Sequence, residues 1–75
     1  MNITWSYQGH QRCDPFLVGS TVKELKYLAS KMFGGRCNVW IVRLDGDIVL
    51  NDHRLEEGGV YELECYTDRL NTDLI

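Results

Sequence analysis

The stretch TVKELKYLASKMF, residues 21–33, decides the fold because it has the periodicity of an amphipathic helix. Its apolar residues recur at spacings of three and four, which places them on one side of a helix. They are Val22, Leu25, Leu28, Ala29, Met32 and Phe33. Thr21 and Glu24 fit a capping box, in which the Thr21 hydroxyl accepts from the Glu24 amide and the Glu24 carboxylate reaches back. Gly34 and Gly35 predict the C-cap.

Two strands are predicted before the helix. Ile3, Trp5 and Tyr7 alternate with polar residues, which is the period of a half-buried strand. A turn over residues 9–12 then leads to a short returning strand within residues 13–18. Pro15 has no amide hydrogen to donate, so it predicts that this second strand lies at an edge of the sheet.

Three strands are predicted after the helix. Residues 39–44 are rich in β-branched and aromatic side chains, and Asp45 and Gly46 are a strong signal for a hairpin turn into residues 48–50. Residues 60–66 alternate once more and form the last strand.

The resulting order, two strands, a helix and three strands, resembles that of the ubiquitin-like β-grasp family over residues 1–66. The resemblance lies in TVKELK (21–26) at the helix start, VRLDG (42–46) at the third strand and its turn, and GVYEL (59–63) at the last strand. It implies an α+β fold, a mixed sheet of four to five strands packed on one helix over residues 22–33. We expect a single domain over residues 1–66 and a flexible tail over residues 67–75.

The family includes conjugated modifiers and sulfur carriers that end in a diglycine. This sequence ends Asp73, Leu74, Ile75, and Gly58 and Gly59 precede the last strand, so we expect a module that is not conjugated. The plant-type iron–sulfur ferredoxins also have a β-grasp core, but three cysteines cannot supply four thiolate ligands.

The alternation of the third and fifth strands predicts an exposed sheet face. If Trp40, Val42 and Leu44 face the helix, six residues stand on the opposite face. They are Val39, Ile41, Arg43, Glu62, Glu64 and Tyr66. The resemblance implies that this face binds a partner protein. Arg43 stands where an aliphatic residue is typical of the family, which argues against the usual ubiquitin receptors, and a screened Arg43–Glu64 pair worth less than ~1 kcal/mol is an equally open interpretation.

Charge is unevenly distributed and leaves other functions open. Residues 1–36 carry five Lys and Arg against two acids, whereas residues 37–75 carry three Arg against nine acids, for a net charge of −3. The acidic half argues against nucleic acid as the ligand. It fits an alternative function, that of a small inhibitor or effector that occupies a basic surface of its partner. A virus is among the sources considered for such a protein. A third alternative is an accessory subunit of a larger enzyme.

No residue pattern indicates catalysis, a cofactor or a metal. His10 and Cys13 have metal-ligand spacing but no second pair, so whether they bind a metal is left open. Asp45 and its neighbours are explained by a tight turn better than by a calcium loop. Cys65 with His53 matches no cysteine-enzyme signature. A chain of this length also predicts little room for a pocket of ~300 Å³ or more.

We therefore expect a non-enzymatic adaptor whose partner is another protein. Cys13, Cys37 and Cys65 are expected to be free buried thiols. No signal peptide or membrane span is evident, which predicts a cytoplasmic protein, with nuclear entry left open. We expect a monomer or a weak homodimer that pairs through the edge strand. A role for the tail over residues 70–75 is left open.

Overall fold

Five strands and one helix form the structure, a computed structural model that describes residues 1–33 and 37–67. Their bounds are β1 (Asn2–Tyr7), β2 (His10–Pro15), α1 (Val22–Phe33), β3 (Val39–Leu44), β4 (Asp47–Val49) and β5 (Val60–Tyr66). The strands make one sheet in the order β2-β1-β5-β3-β4. β1 and β5 are parallel and the other neighbours are antiparallel, so the fold is α+β with a mixed sheet, as expected. The predicted C-cap, and residues 68–75 of the flexible tail predicted over residues 67–75, lie outside the described residues.

The start of α1 is held by its own capping residue and by a later loop. The Glu24 carboxylate accepts a hydrogen bond from the Thr21 amide at 2.8 Å, as the capping box predicts. The Thr21 hydroxyl, however, donates to that same carboxylate instead of accepting from the Glu24 amide. These hydrogen bonds hold the pKa of Glu24 below its usual value. The carbonyl oxygens of His53 and Asn51 accept from the next two amides of the helix, so the loop before β5 completes the cap.

The core lies between α1 and the inner face of the sheet. All ten buried side chains of the described residues are apolar or aromatic and form one cluster: Ile3, Trp5, Val22, Leu25, Ala29, Trp40, Val42, Leu55, Tyr61 and Leu63. The predicted apolar stripe of the helix is buried over its first two turns. Met32 and Phe33, near its end, are 39% and 40% exposed.

The polar atoms of the buried aromatic rings find partners. The Trp5 indole Nε1 donates to Asp14 Oδ2 at 2.7 Å, and the Trp40 Nε1 donates to Ser30 Oγ at 2.8 Å. The Tyr61 hydroxyl accepts from the Glu56 amide at 2.8 Å. No buried side-chain nitrogen or oxygen in the described part of the chain lacks a hydrogen-bond partner. Burial of these large rings therefore carries no free-energy cost from an unpaired polar group.

β2 differs from its predicted position. It begins at His10, not at residue 13, because Gln8 and Gly9 make the turn with φ angles of 51° and 80°. A two-residue turn of this kind matches the twist of a hairpin. Leu17 and the residues after it form a further turn, closed by a bond of 3.0 Å from the Ser20 amide to the Leu17 carbonyl. β2 nevertheless lies at an edge of the sheet, as Pro15 predicted.

The cysteines differ from the prediction of three free buried thiols. Cys37 and Cys65 form a disulfide whose Cα atoms are 5.6 Å apart, and Cys13 is free but exposed. Cys65 pairs across the sheet with Trp40, and the chain before β3 brings Cys37 to the same end of β5. Sequence spacing did not reveal this pairing because it depends on the register of β3 against β5.

In the described ranges no helix combines the length and the apolar character that a membrane span requires. Cytoplasmic location itself stays a prediction.

Candidate protein-binding face

The register of β3 against β5 brings the six predicted site residues together. Three cross-strand pairs stand in sequence on the outer face, away from α1. They are Val39 with Tyr66, Ile41 with Glu64, and Arg43 with Glu62. On the inner face, Trp40 and Val42 are buried, so the strand phase inferred from alternation is the one that the structure has. Their role in binding stays a prediction.

A polar network orders the middle of this face. Arg43 Nε donates to Glu64 Oε1 at 2.7 Å, and the Tyr66 hydroxyl donates to Glu64 Oε2 at 3.0 Å. Hydrogen bonds from Arg43 and Tyr66 lower the pKa of Glu64, and the bond to Glu64 raises the pKa of Arg43. Arg43 Nη1 also donates to the Gly46 carbonyl at 3.3 Å. One guanidinium thus links the last strand to the β3–β4 turn.

Apolar side chains flank the network on the same face. Val39 is 52% exposed and Tyr66 is 50% exposed, and Ile41 is half-buried between them and Arg43. Ile48 of β4 pairs with Arg43 and is 53% exposed. The face therefore combines partly exposed apolar groups with charged groups, a mixture that is also typical of protein–protein interfaces.

A shallow cavity of about 350 Å³ opens over β5 beside the network. Its walls come from the β1–β2 hairpin on one side and from Arg43 on the other, with Glu62 and Glu64 between them. Glu62 is exposed, and within the described residues its carboxylate forms no salt bridge. An unpaired carboxylate in a recess suits a cationic side chain of a partner.

A larger cavity of about 440 Å³ lies between α1 and the end of β4. Lys26, Trp40 and Leu50 contribute to its walls. Lys26 Nζ donates to Asn51 Oδ1 at 2.6 Å, and burial lowers the pKa of Lys26. We expected little room for a pocket of ~300 Å³ or more in a chain of this length, and these two open surface cavities, of about 350 and 440 Å³, exceed that volume.

Geometry separates the other residues with candidate chemistry. His10 and Cys13 are three residues apart on β2, so their side chains point to opposite faces of the sheet and cannot share a metal ion. Cys65 is in the disulfide, and the His53 ring lies by the Tyr61 hydroxyl at 3.4 Å. Across residues 1–33 and 37–67, no group of three or more potential metal ligands is found.

Asp45 and Gly46 form the tight turn between β3 and β4, with φ angles of 53° and 87°. This is the conformation that Asp and Gly tolerate best, so the turn explains the residue types at these two positions.

Sequence reasoning missed two contributors to the face. Ile48 belongs to a strand too short for alternation to indicate its direction. Ser6 lies next to Glu62 because β1 and β5 are parallel neighbours, and they are far apart in sequence. The Asp45–Gly46 turn signal could have placed Ile48 opposite Arg43, since a two-residue hairpin fixes the register.

Comparison with known proteins adds no family to these observations. No protein-family model matches the chain, and no curated protein is similar to it in sequence.

Proposed function

We propose that this chain is a non-enzymatic, ubiquitin-like β-grasp module that binds a partner protein through the outer face of β3 and β5. The observation that carries the proposal is the half-exposed apolar rim formed by Val39, Ile48 and Tyr66 around the Arg43–Glu64 ion pair. Within the described residues, no other element of the chain covers this face.

The assignment to the β-grasp class is supported by the order of elements and by the mixed sheet. The strand–strand–helix–strand–strand–strand order is the one expected for the family, and a single helix packs on one face of the sheet. In the part of the chain that the structure describes, the opposite face is left uncovered. Because fold alone does not define function, the binding role depends on the residues of that face.

The energetics of the face favour recognition over a structural role. The side chains of Arg43 and Glu64 are 38% and 41% exposed, so solvent screens their ion pair and we expect it to contribute little to folding. Burial under a partner would exclude water from the pair and strengthen its hydrogen bonds. Val39 and Tyr66 would supply the apolar contact area. Glu62 would attract a Lys or Arg of the partner.

A non-enzymatic role is supported by the chemistry of the side chains that the structure brings together. The titratable groups of the face form an ion pair and a tyrosine hydrogen bond, which leaves no nucleophile next to a base. The Cys65 sulfur is bonded to Cys37, and the His53 ring lies 3.4 Å from the Tyr61 hydroxyl.

The proposal is tested by affinity capture with the native protein and Val39→Asp, at low and high salt. Val39 is half exposed, so the variant is expected to fold, and a carboxylate in the apolar rim is expected to abolish binding. Val18→Asp is the matched control, since Val18 is 87% exposed in the loop before α1 and lies off the face.

The expected result is a partner protein that Val39→Asp loses, that Val18→Asp retains and that high salt does not release. A partner that both variants retain and that salt releases would refute the proposal. It would favour the acidic inhibitor, because binding between charged surfaces weakens with ionic strength.

A further inference from the structure

The outer edge of β2 presents unpaired main-chain groups. β2 pairs with β1 along its length, and within the described part of the chain no strand lies on its other side. Phe16 and Met1 exchange both main-chain hydrogen bonds, at 2.8 and 2.9 Å, so the even-numbered residues at this strand direct their N–H and C=O groups toward β1. Because these directions alternate in an antiparallel ladder, Gln11 and Cys13 direct theirs outward.

The charged side chains along this edge are complementary to those of a second β2 strand that runs in the opposite direction. Arg12 and Asp14 flank Cys13 and stand on the same face of the sheet, where they form an ion pair of 3.2 Å. A second β2 strand, antiparallel and centred on Cys13, places Arg12 of each copy opposite Asp14 of the other. Opposite charges in directly facing positions stabilise a strand pair. This self-complementary charge pattern is the one required by a two-fold symmetric dimer, in which the same surface of each copy forms the interface.

We propose that two copies of this chain form a homodimer through β2, antiparallel and with Cys13 at the two-fold axis, so that the two sheets become one sheet of ten strands. Cys13 of each copy exchanges both main-chain hydrogen bonds with Cys13 of the other. Each Gln11 amide donates to the Pro15 carbonyl of the second copy. Pro15 has no amide hydrogen, so the pairing ends there.

The interface is small and separate from the proposed binding face. Only one strand of about six residues from each copy takes part, so the surface that the dimer buries is smaller than the roughly 1,000 Å² typical of stable complexes. We therefore expect dimers at millimolar protein concentration and monomers on dilution. β3 and β5 lie on the far side of β1, so dimer formation and partner binding can be tested independently.

The register is tested by oxidation of the Cys13 thiols to an intermolecular disulfide at millimolar protein concentration. The oxidant is diamide, which takes up the two protons and two electrons that the two thiols lose. In the proposed dimer the two Cys13 Cα atoms are about 5.5 Å apart, within the span of a disulfide. The control is Gln11→Cys in a Cys13→Ser background. Its two cysteines are four residues out of register, roughly 13 Å along the strands, and are too far apart to bond.

We expect rapid covalent dimers from the native protein and slow or no reaction from the control. Equal rates for the two proteins would mean random collision and would overturn the proposal. No covalent dimer from either protein would also overturn it.

The charge pattern is tested by sedimentation equilibrium of two variants, Arg12→Asp and Asp14→Lys. Each variant sets like charges opposite each other, so each is expected to be monomeric alone. Mixed, they set unlike charges opposite at both positions, and a heterodimer is expected to form. Lys23→Asp is the matched control, since Lys23 is exposed on α1 and its replacement changes net charge by the same amount as Arg12→Asp.

Dimers of the control, monomers of each variant and dimers of the mixture would support the interface. A mixture that stays monomeric while both variants have native circular dichroism spectra would refute it. Self-association of Arg12→Asp as strong as that of the native chain would refute it as well.

Discussion

Removal of the Cys37–Cys65 disulfide is expected to destabilise the protein strongly. The two residues are 28 apart in sequence. In the chain-entropy model, a closed loop of that length lowers the entropy of the unfolded state enough to stabilise the fold by about 3.6 kcal/mol at 25 °C. Small domains unfold with about 2.1 cal/mol/K of entropy per residue. For 75 residues, division of the lost free energy by this unfolding entropy gives a Tm that is lower by about 20 °C.

The assay is thermal unfolding of Cys37→Ala/Cys65→Ala, followed by near-ultraviolet circular dichroism, beside the native protein with and without reductant. Cys13→Ser is the control and is expected to melt with the native protein, because Cys13 is exposed and free. A titration of thiols before reduction is expected to find one per chain. Three free thiols in the native protein, or a reduced protein that melts within a few degrees of the oxidised one, would refute the disulfide and its effect.

Three further changes have expected outcomes. Trp40→Ala is expected to cost on the order of 3–5 kcal/mol in urea unfolding, because it empties a buried ring site, and a loss below 1 kcal/mol would contradict its place in the core. Ser30→Ala leaves the Trp40 indole nitrogen without its acceptor and is expected to cost about 1 kcal/mol by the same measurement, where no change would mean that water replaces the hydroxyl. Burial raises the pKa of Asp14, but hydrogen bonds from Arg12 and Trp5 outweigh it and hold the pKa below its usual value. Between the folded-state pKa and the usual pKa of aspartate, the unfolded state therefore binds more protons than the folded state. The stability that Asp14 contributes is present above the usual pKa and is lost as pH falls through the lower, folded-state pKa. The stability of Asp14→Asn is expected to depend less steeply on pH in this acid range, and acid unfolding transitions identical to those of the native protein would contradict this.

The element order and most of the element bounds followed from local pattern. The spacing of Val22, Leu25 and Ala29 predicted the helix, and the structure has it over the same residues. Alternation predicted β3 and β5 at their observed bounds. These predictions succeed because periodicity of 3.6 or 2 reports directly which side chains face a core.

The start of β2 was harder to predict because the turn is unusual. Gln8 takes a positive φ of 51°, which its residue type does not predict, and the start of β2 therefore lies three residues closer to the N-terminus, at His10 instead of residue 13. Gly9 alone was compatible with several turns, so local pattern could not fix the hairpin register.

The sequence by itself determined the α+β fold class, the helix, the phase of β3 and β5, and hence which six residues could share an outer face. Only the tertiary structure decided that β1 and β5 are parallel neighbours, which places Ser6 beside Glu62, and that Cys37 meets Cys65. The physical reason is range. Periodicity is a property of neighbouring residues, whereas strand order and cysteine pairing depend on contacts between residues distant in sequence, which the packing of α1 against the whole sheet selects.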